Sequence, residues 1–208
     1  HHPQVKDLPY QRQLQRIYDE LIFTADFYSH ALTKLGCPAW DIILNNQSLQ
    51  QKWLEEHPDI FLSTFERIQD FLMGHFSILS GIIAQNWELK VLERQINHFR
   101  PDIIYSHNIG YLDPDFLFSI KPKVKLIVGQ IACPLPWWRN FAPYDLIITS
   151  FPHFVPMFKR KGIRAEYLPL CFEPRVLQRL PRQKQIYDVT FIGGISRAHA
   201  QGFKLLNG

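Results

Sequence analysis

Four short clusters carry the residue types best suited to chemistry: Ser106-His107-Asn108, Gly129-Gln130, Ser150-Phe151 and Gly193-Gly194-Ile195-Ser196-Arg197. Each follows a β-prone run, and in an open parallel sheet ligands bind beyond the carboxyl ends of the strands. His107 comes directly after Pro101-Asp102-Ile103-Ile104-Tyr105-Ser106. At the rim of a sheet its imidazole can take a proton or donate to a hydroxyl, or it can be a loop histidine that caps nearby backbone. Gly193-Gly194 allows a sharp turn with free N–H groups at a helix start, a ready anion site, and Arg197 adds a charge-assisted bond to a phosphate; a plain tight turn is the other reading.

Cys133-Pro134-Leu135-Pro136-Trp137-Trp138 is a rigid aromatic loop. Paired tryptophans stack on sugar faces or plug the gap against a neighbouring helix. Asp113 and Asp115 are placed to act as a base near His107 or to sit at a helix start, where the dipole favours them. The sequence lacks GxSxG, HExxH, GxGxxG and Walker patterns, and no histidines or carboxylates fall at metal-ligand spacing. No metal and no resident cofactor are therefore expected.

These residues need a scaffold. Residues 10–35 read as helix, with Leu14, Ile17, Tyr18, Leu21 and Ile22 at three- and four-residue steps, a second helix capped by Thr24 or Asp26, and a stop at Gly36. Residues 40–44 read as a short strand, 49–57 as a helix, and 61–99 as helix broken near Gly74 or Gly81 and closed at Arg100 by Pro101. His57, His75 and His98 fall on these helices as surface or packing residues. Residues 102–106, 124–129, 145–150 and 165–168 are strands, with helices at 114–120 and 153–161 between them. Strands alternating with helices imply a parallel sheet with crossover helices.

Residues 168–185, with Pro169, Pro174 and Pro181, read as a linker. A strand at 187–192, the Gly193-Gly194 turn and a helix at 198–206 read as the opening of a second βαβ unit. The expected organisation is a first domain over 1–168 that lacks its opening strand, a linker over 169–186, and a second domain begun over 187–208. The chain is expected to be clipped at both ends.

Charge and composition exclude several classes. A net charge of +4 and a pI near 9.0 would suit nucleic acid, yet the basic residues cluster only at Lys121/Lys123/Lys125 and Lys159/Arg160/Lys161/Arg164. No nucleic-acid partner is expected; the clusters are solvated faces or points of peripheral membrane contact. Residues 78–84 form the best apolar run, far short of the roughly 20 residues that cross a bilayer. Cys37, Cys133 and Cys171 are odd in number and far apart, which suggests reduced structural thiols. A cytoplasmic location is the default.

Taken together, several stretches resemble the CgeB-like (spore-maturation type) glycosyltransferases of the GT-B superfamily. They are Phe27-Tyr28-Ser29 with Leu32 and Leu35-Gly36, Asn46 with Gln50, Gln51 and Trp53, Pro101 to Tyr105, Gly129-Gln130-Ile131-Ala132, Tyr144 to Ile147, Tyr167 to Leu170, and Tyr187 to Gly194. The resemblance implies two Rossmann-like α/β domains facing a cleft, the first shaping the acceptor site and the second holding a nucleotide diphospho-sugar. It implies transfer to a glycosyl acceptor without a metal, with protein donors stabilising the leaving diphosphate. On that reading His107 and Asn108 lie at the transfer centre, Gly129, Gln130, Ser150 and Trp137 line the substrate site, and Gly193, Gly194, Ser196 and Arg197 meet the diphosphate. The residues by themselves leave a second class open, a non-catalytic Rossmann-like binding or assembly protein of a spore or cell surface layer.

Overall fold

The computed structural model describes residues 3–22, 25–58, 80–134, 140–181, 184 and 186–190. The helical spacing at the start of the chain builds α1 (Pro3–Lys6) and α2 (Tyr10–Asp19), and α2 buries Tyr10, Gln13 and Leu14. Leu21 and Ala25 then take positive φ, 50° and 34°, so a separate helix, α3 (Phe27–Lys34), begins with Asp26 at its N-cap position. Gly36, at φ +83°, ends it. The Cys37 N–H reaches the Leu32 carbonyl at 2.9 Å, and glycine takes this left-handed turn without steric cost.

Helix α4 (Gln47–Glu56) is capped by Asn46, whose side chain accepts the Leu49 N–H at 3.1 Å. Ahead of it, residues 40–44 form a loop and not the expected strand. Side chains hold this loop in place of a ladder. Gln50 Nε2 donates to the Ile43 carbonyl at 2.9 Å, Gln95 Nε2 donates to Gln50 Oε1 at 2.8 Å, and the Trp40 ring stacks on Phe99 at 5.8 Å. Helix α5 (Ser80–Phe99) runs unbroken through Gly81 and stops at Arg100, whose φ of 49° precedes Pro101. The rest of the expected 61–99 helix, with Gly74 and His75, lies outside the described residues. Tyr10, Leu14, Leu49, Trp53, Leu54, Trp87 and Val91 join α2, α4 and α5 in one apolar cluster.

The Ile- and Val-rich runs become a four-stranded sheet, β1 (Ile103–Ser106), β2 (Leu126–Ile131), β3 (Leu146–Thr149) and β4 (Ala165–Tyr167), in the order β1-β2-β3-β4. All three pairings are parallel. The protein is thus α/β with a Rossmann-like parallel sheet flanked by helices. Because the strands advance in one direction and parallel crossovers are right-handed, successive crossover helices fall on one face. Leu117 and Ile120 of α6 (Pro114–Ile120) and Phe158 of α7 (Phe154–Arg160) accordingly share one core with Ile127, Ile131, Ile147 and Ala165. Alternation puts Tyr105, Val128, Gln130 and Ile148 on the opposite face.

A polar clamp fixes the start of β3. Lys121 Nζ donates to Asp145 Oδ1 at 2.7 Å and to the Pro143 carbonyl at 2.8 Å, while Asp145 Oδ2 accepts the Ile127 N–H at 2.8 Å. Burial pushes the Asp145 carboxyl up, but the bonds from Lys121 and Ile127 outweigh it and hold its pKa below the ordinary carboxylate range.

The chain divides into two units, residues 1–172 and 173–208. The first carries the sheet. In the second, α8 (Pro174–Arg179) lies inside the stretch expected to be a linker; Glu173 caps it by accepting the Arg175 N–H at 3.0 Å. Residues 187–190, the described part of the expected 187–192 strand, do not join a ladder. The expected helix at 198–206 lies outside the described residues.

Candidate functional site at the ends of β1 and β2

A connected group of polar and aromatic side chains lies on the sheet face opposite the crossover helices. Tyr105 of β1 sits beside Val128 of β2, so Gln130, two residues further along β2, is its diagonal neighbour on the same face. Gln130 Oε1 accepts two phenolic protons, from Tyr105 at 2.5 Å and from Tyr28 of α3 at 3.2 Å. His107, two residues beyond Tyr105, packs edge-on against both rings, with centroids 4.5 Å from Tyr28 and 4.9 Å from Tyr105.

His107 is open to solvent on one side and covered by the two tyrosines on the other. That cover disfavours the imidazolium and holds the ring below the ordinary histidine pKa, against the opposing pull of Asp41 and Gln130. Burial, and then Tyr28, push the Tyr105 phenol well above its usual range. The imidazole is therefore held toward its neutral form and remains reachable, beside a Tyr105 phenol that is held toward its protonated form.

Asp41, from the loop before α4, completes the cluster. Its Oδ2 accepts hydrogen bonds from Ser29 Oγ and, at 3.2 Å, from Tyr18 OH. Burial raises the Asp41 pKa, while the Ser29 and Tyr18 bonds counter it in part. The same carboxylate, after burial itself, pushes the Tyr18 phenol far up and contributes to lifting Tyr10 to about 12. Among the described residues no lysine or arginine bonds to His107, Gln130 or Asp41. The arrangement suits an uncharged hydroxyl-bearing group better than an anion.

The other expected site residues separate into distinct places. Asn108 uses its side chain locally, Oδ1 accepting the Gly110 N–H at 2.8 Å, which shapes the turn after β1. Gly129 is buried on the core face: a Cβ there would meet Ile109 Cγ2 at 2.3 Å and the Tyr144 ring at 2.7 Å, so close packing explains the glycine. Ser150 follows β3; among the described residues the ring contacts of His107 are with Tyr28 and Tyr105. Trp137 and the Gly193, Gly194, Ser196 and Arg197 cluster lie outside the described residues. Asp113 caps α6 by accepting the Asp115 N–H at 2.8 Å, the helix-start role. Cys37, Cys133 and Cys171 are free and exposed. His57 ends α4 stacked on Trp53 at 4.3 Å, and His98 packs against it at 4.9 Å.

The sequence places Tyr18 on a helix and Tyr105 on a strand without marking either as a site residue, and it does not mark Asp41 at all. Tyr105 carried a signal: it lies two residues before His107 on an extended strand and must share its face. Asp41 carried none, since its loop has no periodicity and its partners are 12 and 23 residues earlier. Among the described residues, no helix is long and apolar enough to cross a membrane, and no group of three or more His, Cys, Asp or Glu is placed to hold a metal ion.

No protein-family model, no curated protein and no solved structure matches this chain. What the fold and site define is a class: a Rossmann-like α/β protein with a neutral histidine, framed by tyrosines, at the strand ends where such folds bind ligands.

Proposed function

We propose that this chain supplies the acceptor-side domain of a cytoplasmic glycosyltransferase, which moves a sugar from a nucleotide diphospho-sugar to a hydroxyl acceptor. The observation that carries this reading is the His107 group. A reachable imidazole, held toward its neutral form and walled by Tyr28 and Tyr105, can hydrogen-bond a sugar hydroxyl while the rings cover its apolar surface. In this reading the diphosphate is met by Gly193, Gly194, Ser196 and Arg197, and the His107 group meets the hydroxyl side of the reaction. Asn108 shapes the His107 turn in this scheme and Gln130 orients the two phenols.

The test is a transfer and hydrolysis assay of the full-length protein with uridine and guanosine diphospho-sugars, comparing wild type with His107→Ala. Loss of turnover of about 100-fold or more is expected if His107 acts on the proton of a reacting hydroxyl. Equal turnover would remove His107 from the mechanism.

A second reading, a non-catalytic binding or assembly protein, has one observation in its favour. Tyr167 and Leu168, on and just after the edge strand β4, are 51% and 40% exposed, and Leu170 is 75% exposed. Among the described residues no strand pairs with the outer edge of β4, and a strand edge with apolar neighbours is a surface for pairing. Turnover with none of the donors, together with concentration-dependent self-association in analytical ultracentrifugation, would favour it.

A further inference from the structure

Asp41 is the point on which two helices converge. Ser29 of α3 and Tyr18 of α2 both donate to its Oδ2. The residue beside Ser29, Tyr28, places its ring against His107. A single step along α3 thus separates the side chain that braces the carboxylate from the one that braces the imidazole. A half-buried carboxylate needs compensation, and two hydroxyls bond it without neutralising it.

We propose that Asp41 is a positioning residue for His107: its carboxylate, braced by Ser29 and Tyr18, stabilises positive charge that appears on the imidazole. A proton passing from a bound hydroxyl to the His107 ring leaves its electron pair on that oxygen and makes the ring cationic. The negative charge of Asp41 then favours the product of that step. The influence runs both ways, His107 favouring the ionised carboxylate and Asp41 the protonated ring. The other titratable groups around the pair are Asp26, Tyr10 and Tyr18 beside Asp41, and Tyr28 and Tyr105 beside His107. Asp26 opposes ionisation of Asp41; burial pushes the Tyr10, Tyr18 and Tyr105 phenols up, away from the range in which histidine titrates. A serine-protease arrangement is not present, because Ser29 bonds to the carboxylate itself and the imidazole does not lie between them.

The catalytic consequence rests on the transferase reading, but the pairing can be measured without turnover. In the whole chain, labelled with 15N and 13C, the His107 ring nitrogens are titrated by NMR in wild type and in Asp41→Asn, which keeps an acceptor oxygen for Ser29 and Tyr18. The expected result is a fall in the His107 midpoint of about half a pH unit, a roughly threefold loss of proton affinity. An unchanged or higher midpoint overturns the proposal. Should Asp41→Asn fail to fold, the wild-type Asp41 carboxyl carbon decides: its shift is expected to show an inflection at the His107 midpoint, and a trace flat through that range overturns the pairing. If His107→Ala leaves turnover intact while the midpoint falls as expected, the transferase role fails and the pair stands.

Discussion

Tyr105 and Gln130, diagonal neighbours on β1 and β2, are joined by a 2.5 Å bond from the phenol to the amide Oε1. The same oxygen also accepts Tyr28, so one side chain on β2 sets both rings that flank His107. Replacing Gln130 with Leu keeps the approximate volume but strands two hydroxyls. We expect a loss of about 1–2 kcal/mol, since an orphaned polar group costs its desolvation. A urea midpoint equal to wild type would show that water replaces the amide without penalty.

Gly129→Ala should destabilise the protein by about 1–3 kcal/mol through overpacking, because the added methyl would lie 2.3 Å from Ile109 Cγ2 and 2.7 Å from the Tyr144 ring. Combining it with Ile109→Ala should cost less than the sum of the two single changes. Additive losses in a thermal-melting cycle would count against this packing account.

Acid should unfold the protein partly through Asp145. Its folded pKa is depressed, so its contribution is present above the unfolded value near 3.9 and is lost as pH falls through the folded value. Asp145→Asn should therefore be less stable than wild type at pH 7, by about 1 kcal/mol for this partly exposed pair, and the gap should close toward pH 2. A gap that persists at pH 2 in urea titrations would mean that the amide disturbs packing and not charge.

Gln50→Leu removes the bond to the Ile43 carbonyl and the acceptor for Gln95. A cost of about 1–3 kcal/mol is expected, because the buried Gln95 amide and the half-buried Ile43 carbonyl each lose a partner. Faster amide hydrogen exchange should appear in residues 40–46, which carry Asp41. Exchange confined to α4 would show that the loop is held by something other than Gln50.

Three strands of the sheet were legible in the residue order because short Ile- and Val-rich runs with little polar alternation mark parallel strands, and Ile103-Ile104, Leu126-Ile127-Val128 and Leu146-Ile147-Ile148 supply them. His107 was legible for a related reason: the residue after a parallel strand sits at the ligand-binding rim whatever lies nearby. Residues 40–44 misled, since Trp, Ile and Leu favour strands on average, whereas here the Gln50 side chain takes up the Ile43 carbonyl that a neighbouring strand would have used. The glycine of Gly129 was visible, but its cause was not, because Ile109 and Tyr144 meet it only in the folded core. The Asp41 cluster depended wholly on tertiary structure. Hydrogen bonds from Tyr28 to Gln130 span 102 residues and from Tyr18 to Asp41 span 23; local propensity governs neighbours within a few residues, so only the docking of α3 on the sheet and of α2 beside the 40–44 loop could bring these groups together.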